Sequence, residues 1–385
     1  MIYLDNSFIT RPSKEAVNDM IPFLTEKWGS SSAPHQWGHQ NLPQMEESYR
    51  AIYQMLGADE NDQFVFMSSG TEAVNHVIQS AYLDVTMETG KNHFITSAID
   101  EAPQIMAMSR LEKHGCVCRM IDVNEQGYVT AEAVGDAMTP RTAFVSLSWA
   151  NGMTGVIHPV EEIAKVCKER GVLLHLDASH VLGKLYFDLK QIGADLITFE
   201  GSLLHAPQGT GGLWIRDGVK LSPLIVGGNE QGGSRAGPMN LAGLVALGKA
   251  SKQLAETRDL ICMEGARLRN QLETGIQKGF PEATPLFTEQ ERLPNITAIA
   301  FPGIVNEALL FALSEKNLFA SIGGGNNQQI SLILEACKVD PILAQTTVSF
   351  SLSRETTDEE IDRAVKVIVE TAKQLRNSSS HMVVL

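Results

Sequence analysis

The chain has 385 residues, 43% of them hydrophobic and 20% charged, which places it among globular proteins and excludes disordered, collagen-like and coiled-coil classes. Thirty-one Lys and Arg against 45 Asp and Glu give a net charge of −14 without a basic block, so nucleic acid is excluded as an expected partner. No window approaches the roughly 18 uninterrupted apolar residues of a membrane span, and the start MIYLDNSFIT lacks a charged leader, so a cytoplasmic protein is expected.

In chain order, the first sixty residues predict a short strand (IYLD), a helix over 13–28, a polar loop GSSSAPHQWGHQ and a helix over 44–56. Short β-rich runs follow: FVFMSS (64–69), HFITSA (93–98), CRMIDV (118–123), AFVSLSW (143–149), LLHLDAS (173–179), LITFEG (196–201) and GLWIR (212–216). Helical patterns separate most of them; EEIAKVCKER (161–170) carries apolar Ile163, Ala164, Val166 and Cys167 for covering a buried sheet. This alternation predicts an α/β layered domain.

Beyond the Gly-rich stretch 225–238, a long helix is expected to about position 278, then a smaller α+β unit with strands NITAIAF (295–301) and TVSFSLS (347–353). A final helix is marked by a capping box of Thr356 and Glu359 and an apolar stripe from Ile361 to Ala372. The expected division is an arm over 1–15, a large domain over 16–255, a small domain over 256–376 and a mobile tail over 377–385.

Five cysteines, an odd number without paired spacing, point to reduced thiols. His35 and His39 share i, i+4 spacing, but no third ligand is evident and a metal is not expected. Asp177 ends a β-rich run, where open α/β sheets place ligand-binding groups; a helix N-cap role for the segment after the strand competes. In SSGTEAVN (68–75), Ser68, Ser69, Gly70 and Thr71 bring amides and hydroxyls to a helix start, an arrangement suited to phosphate but also to an ordinary cap. Asn151 and Arg354 also follow strand-like runs and are weak candidates alone.

Taken in order, YLDNS (3–7), SSGTEAVN (68–75), ANGMTG (150–155), HLDASHVLGK (175–184), DLITFEGSLLHAPQGTGGL (195–213), GGNEQGGSRAG (227–237) and FSLSRETTDEEID (350–362) resemble cysteine desulfurases of the class V aminotransferase family. The resemblance implies an α/β fold-type I architecture: a three-layer α/β/α large domain with a mixed, mostly parallel seven-stranded sheet, plus a smaller α+β domain. It implies pyridoxal phosphate (PLP) as cofactor and a homodimer; for a degenerate member, an active desulfurase or a sulfur-acceptor protein is the expected partner. In that family a lysine holds PLP as a Schiff base and a loop cysteine takes the substrate sulfur.

By the same resemblance, Asp177 pairs with the ring nitrogen, Asn151 lies near the ring hydroxyl, and Gly70 and Thr71 form the phosphate cup. His180 stands where the family usually has glutamine, Ser202 falls in the cofactor-binding segment, and Arg354 matches the arginine for the substrate carboxylate. The chemical positions differ. Against the family's Ser-x-His-Lys stand Glu200, Gly201, Ser202 and Leu203, and no lysine occurs between Lys190 and Lys220. Leucine forms no imine and moves no proton. Glu200 replaces a serine near the cofactor phosphate, where like unit charges at 4 Å repel by roughly 4 kcal/mol at a dielectric near 20.

Glu101 falls where a histidine stacks on the ring, and Asn326, in the loop SIGGGNNQQ (321–329), or a neighbour, takes the place of the nucleophilic cysteine. Cys337, further on, is expected to be a small buried hydrophobe. The expected function is therefore that of a catalytically degenerate cysteine desulfurase-like protein acting by binding. The alternative is an active enzyme with repurposed chemistry that uses Glu101 and Glu200 as acid and base.

Overall fold

The computed structural model describes residues 1–325 and 327–382, and for 379–382 the backbone alone. Each β-rich run becomes a strand. In chain order these are β1 (Ile2–Tyr3), β2 (Gln63–Met67), β3 (His93–Ser97), β4 (Val117–Ile121), β5 (Thr142–Ser148), β6 (Leu173–Asp177), β7 (Leu196–Glu200) and β8 (Gly211–Ile215). The short β9 (Thr284–Pro285), β10 (Ile296–Ala300), β11 (Leu318–Phe319) and β12 (Thr347–Ser351) follow.

Strands β2 to β8 form one seven-stranded sheet in the order β2-β8-β7-β6-β5-β3-β4, in which β8 runs antiparallel to both β2 and β7 while the other pairs are parallel. Helices cover both faces, so β5 is buried along its whole length, and its Ala143, Phe144, Val145 and Leu147 supply both cores. On one face Val65, Phe94, Phe144 and Leu213 pack against Val74, Val77 and Ile78 of the helix Gly70–Ala81. On the other, Val145, Leu147, Leu174 and Phe199 join Ile163 and Cys167 of the helix Val160–Glu169, as its apolar spacing predicts. The fold is the expected fold-type I arrangement.

Strands β12, β10 and β9 make an antiparallel sheet in the C-terminal unit. The first residues are stitched to this unit: β1 pairs in parallel with β11, and Ile2 and Leu4 lie in the core that holds Phe301 and Phe350. The helix Leu241–Gly279 crosses the expected boundary at 255/256 without a break, so no linker separates the two units there. Its buried Leu244, Leu247 and Leu254 belong to the core of the large sheet, whereas Leu268, Leu272 and Ile276 belong to that of the small one.

Three local expectations change. The stretch read as a polar loop contains a helical turn, Gln36–His39, with His35 at its N-cap. The capping box forms one residue later than read, with Thr357 Oγ1 accepting from the Glu360 amide at 3.2 Å and Glu360 Oε2 accepting from the Thr357 amide at 3.3 Å. Thr356 instead accepts from Ser353 N–H. The last helix continues from Asp358 to Met382, so the first part of the segment read as a tail is helical.

Candidate functional site

The C-terminal ends of β6 and β7 meet the start of the helix Gly70–Ala81 around a cavity of about 280 Å³. Gly70, Thr71, Glu101, Asp177, His180, Glu200, Ser202 and Leu203 all line it. Ligand sites of open α/β sheets lie at this end of the strands.

Asp177 closes β6 and turns the chain: its Oδ1 accepts from the Ser179 amide at 2.9 Å and the Ser179 hydroxyl at 2.6 Å. No α-helix starts there, so the competing cap role resolves into a turn. Burial, and then the nearby Glu101 carboxylate, push the Asp177 carboxyl up to about 7. Glu101 precedes the helix Ala102–Glu112 without capping it, and its Oε1 lies 2.5 Å from His180 Nε2. Deeper, Asp100 accepts from the Ser97 and Ser148 amides and the Thr96 hydroxyl, and burial raises its carboxyl to about 6.

At the helix start, Ser69 caps the Glu72 amide at 3.1 Å, and Glu72 in turn accepts from Ser68 N–H at 2.8 Å and pairs with Arg235 at 2.9 Å. That leaves the Gly70 amide for the cavity, and Glu200 takes it: Gly70 N–H donates to Glu200 Oε2 at 2.8 Å. The other carboxylate oxygen accepts from the Ser202 amide at 3.2 Å and hydroxyl at 2.9 Å. A Cβ on Gly70 would stand 3.2 Å from Glu200 Cβ, so the glycine permits this close approach. A carboxylate of the chain thus sits on amide and hydroxyl donors at a helix N-terminus, where a bound anion is favoured. Thr71 lines the same wall.

Leu203 is buried and forms the partition between this cavity and a larger one. Two expected site residues stand elsewhere. Asn151 is turned to its own loop, accepting from the Met153 and Thr154 amides and donating to Ile99 O at 3.2 Å. Arg354 lines the larger cavity and donates to Gln253 Oε1 at 3.1 Å. Asn326 lies outside the described residues; its neighbour Asn327 lines the cavity, and Gln328 ties the loop to Ala98 O and Asp100 O. Cys337 is buried in the core, and burial pushes its thiol up to about 12.

Residue-by-residue reading missed Ser179. Its hydroxyl donates to Asp177 and accepts from the Glu200 amide at 3.0 Å, joining the ends of the two strands. Its place two residues after Asp177 was the available signal.

The family model for aminotransferase class-V matches residues 2–364. A cysteine desulfurase of Gluconacetobacter diazotrophicus is 35% identical over 382 residues, covering 98% of this chain and 95% of that protein. The cysteine desulfurase NifS of Azotobacter vinelandii is 33% identical, covering 99% and 94%. A solved NifS-like protein superposes with a TM-score of 0.89 at 29% identity, covering 97% of this chain and all of that one. With the sheet, the cavity at its strand ends and these matches together, the chain belongs to the class V aminotransferase family and is cysteine desulfurase-like.

Proposed function

We propose that this protein is a cysteine desulfurase-like family member that acts by binding a ligand or partner, without PLP-dependent sulfur transfer. The contact from Gly70 N–H to Glu200 Oε2 carries the reading. A cofactor phosphate needs amide donors at that helix start, and here they face a carboxylate of the chain, so a second anion meets both repulsion and competition. Leu203, at the position that the resemblance gives to the lysine, has no amine to hold the cofactor covalently. The residues present do not suit PLP. Homodimerisation, and pairing with an active desulfurase or a sulfur acceptor, belong to this proposal.

The test is the near-ultraviolet and visible absorbance of the purified protein incubated with PLP, then treated with borohydride and dialysed. The expected result is no retained chromophore in the unaltered protein and a retained one in the double variant Glu200→Ser, Leu203→Lys. A borohydride-sensitive, dialysis-resistant band in the unaltered protein overturns the reading.

A second reading is an active enzyme with repurposed chemistry. The names of the relatives favour it, as does the 2.5 Å contact between Glu101 and His180, an acid–base pair facing the cavity. Sulfide released from cysteine by the unaltered protein, and lost in Glu101→Gln and Glu200→Gln, would support it.

A further inference from the structure

Behind Leu203 lies the larger cavity, about 550 Å³, between the turn after β6 and the helix Leu241–Gly279. Leu182, Leu254 and Ile261 give it an apolar lining, and Lys184, His205 and Arg354 also face it. Gly183 before the lysine has φ 75°, and a Cβ there would stand 2.9 Å from Leu254, so the turn is pressed against the long helix.

The cations of this cavity differ in how they are satisfied. Arg354 donates to Gln253, with Glu15 and Glu355 acting on its charge. Arg267 at the rim is paired with Glu264 and Asp358. Lys184 is 8% exposed, and its Nζ has no hydrogen-bond partner among the described residues. Glu15, Glu256, Glu264, Glu355 and Asp358 also line the cavity, yet among the described residues none is bonded to Lys184 Nζ, and burial pulls its pKa down to about 8. His205 offers no anion either: burial and the charges of Arg354 and Lys184 lower its pKa to about 4, against the favourable bond of Nδ1 with Arg11 O. At neutral pH this amine is still mostly protonated, and a buried ammonium without a partner is stabilised by an anion brought beside it.

We propose that this cavity is a second small-molecule site, for an aliphatic carboxylate whose head pairs with Lys184 and whose chain lies along Leu182, Leu254 and Ile261. It is separate from the cavity at Glu200 and does not depend on whether that one takes PLP. The apolar lining selects a ligand with a hydrocarbon body, and the unpartnered ammonium selects an anionic head.

Calorimetric titration with hexanoate, with hexanol as the uncharged counterpart, tests the assignment on the full chain. Hexanoate is expected to bind, hexanol to bind more weakly, and Lys184→Met to weaken hexanoate about tenfold or more, the loss of one buried charge pair. Arg354→Gln is expected to keep most of the affinity. Equal binding of the two probes, or a loss confined to Arg354→Gln, overturns the proposal. Should Lys184→Met fail to fold, Leu260→Trp, at an exposed position on the rim, supplies a fluorescent reporter in a chain that keeps the lysine. Its emission is expected to change with hexanoate more than with hexanol, and an equal or absent response overturns the proposal.

Discussion

His180 Nε2 and Glu101 Oε1 stand 2.5 Å apart at the cavity rim, joining the turn after β6 to the helix after β3 across 79 residues of sequence. His180 is buried and its Nδ1 has no hydrogen-bond partner among the described residues, so Glu101 is its side-chain anchor. Glu101→Ala leaves the imidazole without that partner and is expected to lower stability by about 1–3 kcal/mol. Glu101→Gln keeps a hydrogen-bonding group and is expected to cost less. Urea unfolding of the two variants makes the comparison; no cost in Glu101→Ala would mean that the contact contributes nothing.

Asp177 makes stability depend on pH. Its carboxyl is raised from 3.8 to about 7 in the fold, first by burial and then by Glu101, so the folded chain binds this proton more tightly than the unfolded chain. Its contribution is fully present below pH 3.8 and is lost as pH rises through about 7. Asp177→Asn keeps the acceptor for Ser179 and removes the titration. Relative to the parent, the variant is expected to gain stability progressively over that window, on the order of 1–3 kcal/mol at neutral pH. A parallel pair of stability-versus-pH curves counts against the assignment.

Glu200→Ser frees the amide of Gly70 and removes a negative charge from the helix start. Without added anion the variant is expected to be about 0.5–2 kcal/mol less stable, the loss of a charge-assisted hydrogen bond near a helix dipole. Inorganic phosphate is then expected to raise its melting temperature while leaving the parent unmoved. Equal phosphate responses in both would show that Glu200 does not block the cup.

Gly211 lies in β8, where a Cβ would come within 2.4 Å of the backbone of Ser69 and 2.8 Å of the Gly70 amide nitrogen. Backbone atoms there cannot yield as a flexible side chain can. Gly211→Ala is expected to destabilise by about 1–3 kcal/mol or more and to displace the Gly70 amide from Glu200. Thermal unfolding reads the first effect, and the amide resonance of Gly70 the second.

All five cysteines are free, and burial raises every thiol, those of Cys118, Cys167 and Cys337 to about 12. Thiolate is the reactive form. In the native protein at neutral pH, Cys337 is expected to escape iodoacetamide and to acquire no persulfide from cysteine, as read by peptide mass spectrometry. Unfolding in urea restores labelling.

Chain order alone revealed the strands of the large sheet, because short runs rich in Val, Ile, Leu and Phe between helical patterns are local signals whatever lies beside them. It also pointed to Asp177 and Gly70, each at a local strand-to-turn pattern, whereas Leu203 was set against the family's lysine by the resemblance alone. Packing decided the rest. That Glu200 reaches back to an amide 130 residues away depends on β7 lying across β8 from β2, and on a glycine at position 70 that leaves room. Arg354 follows its strand as read, yet Gln253 on the long helix holds it in the other cavity. Lys184 is a surface-type residue by composition; the long helix closing over its turn removes it from water without supplying a partner. Side-chain direction and desolvation arise between elements distant in sequence, and no local pattern encodes them.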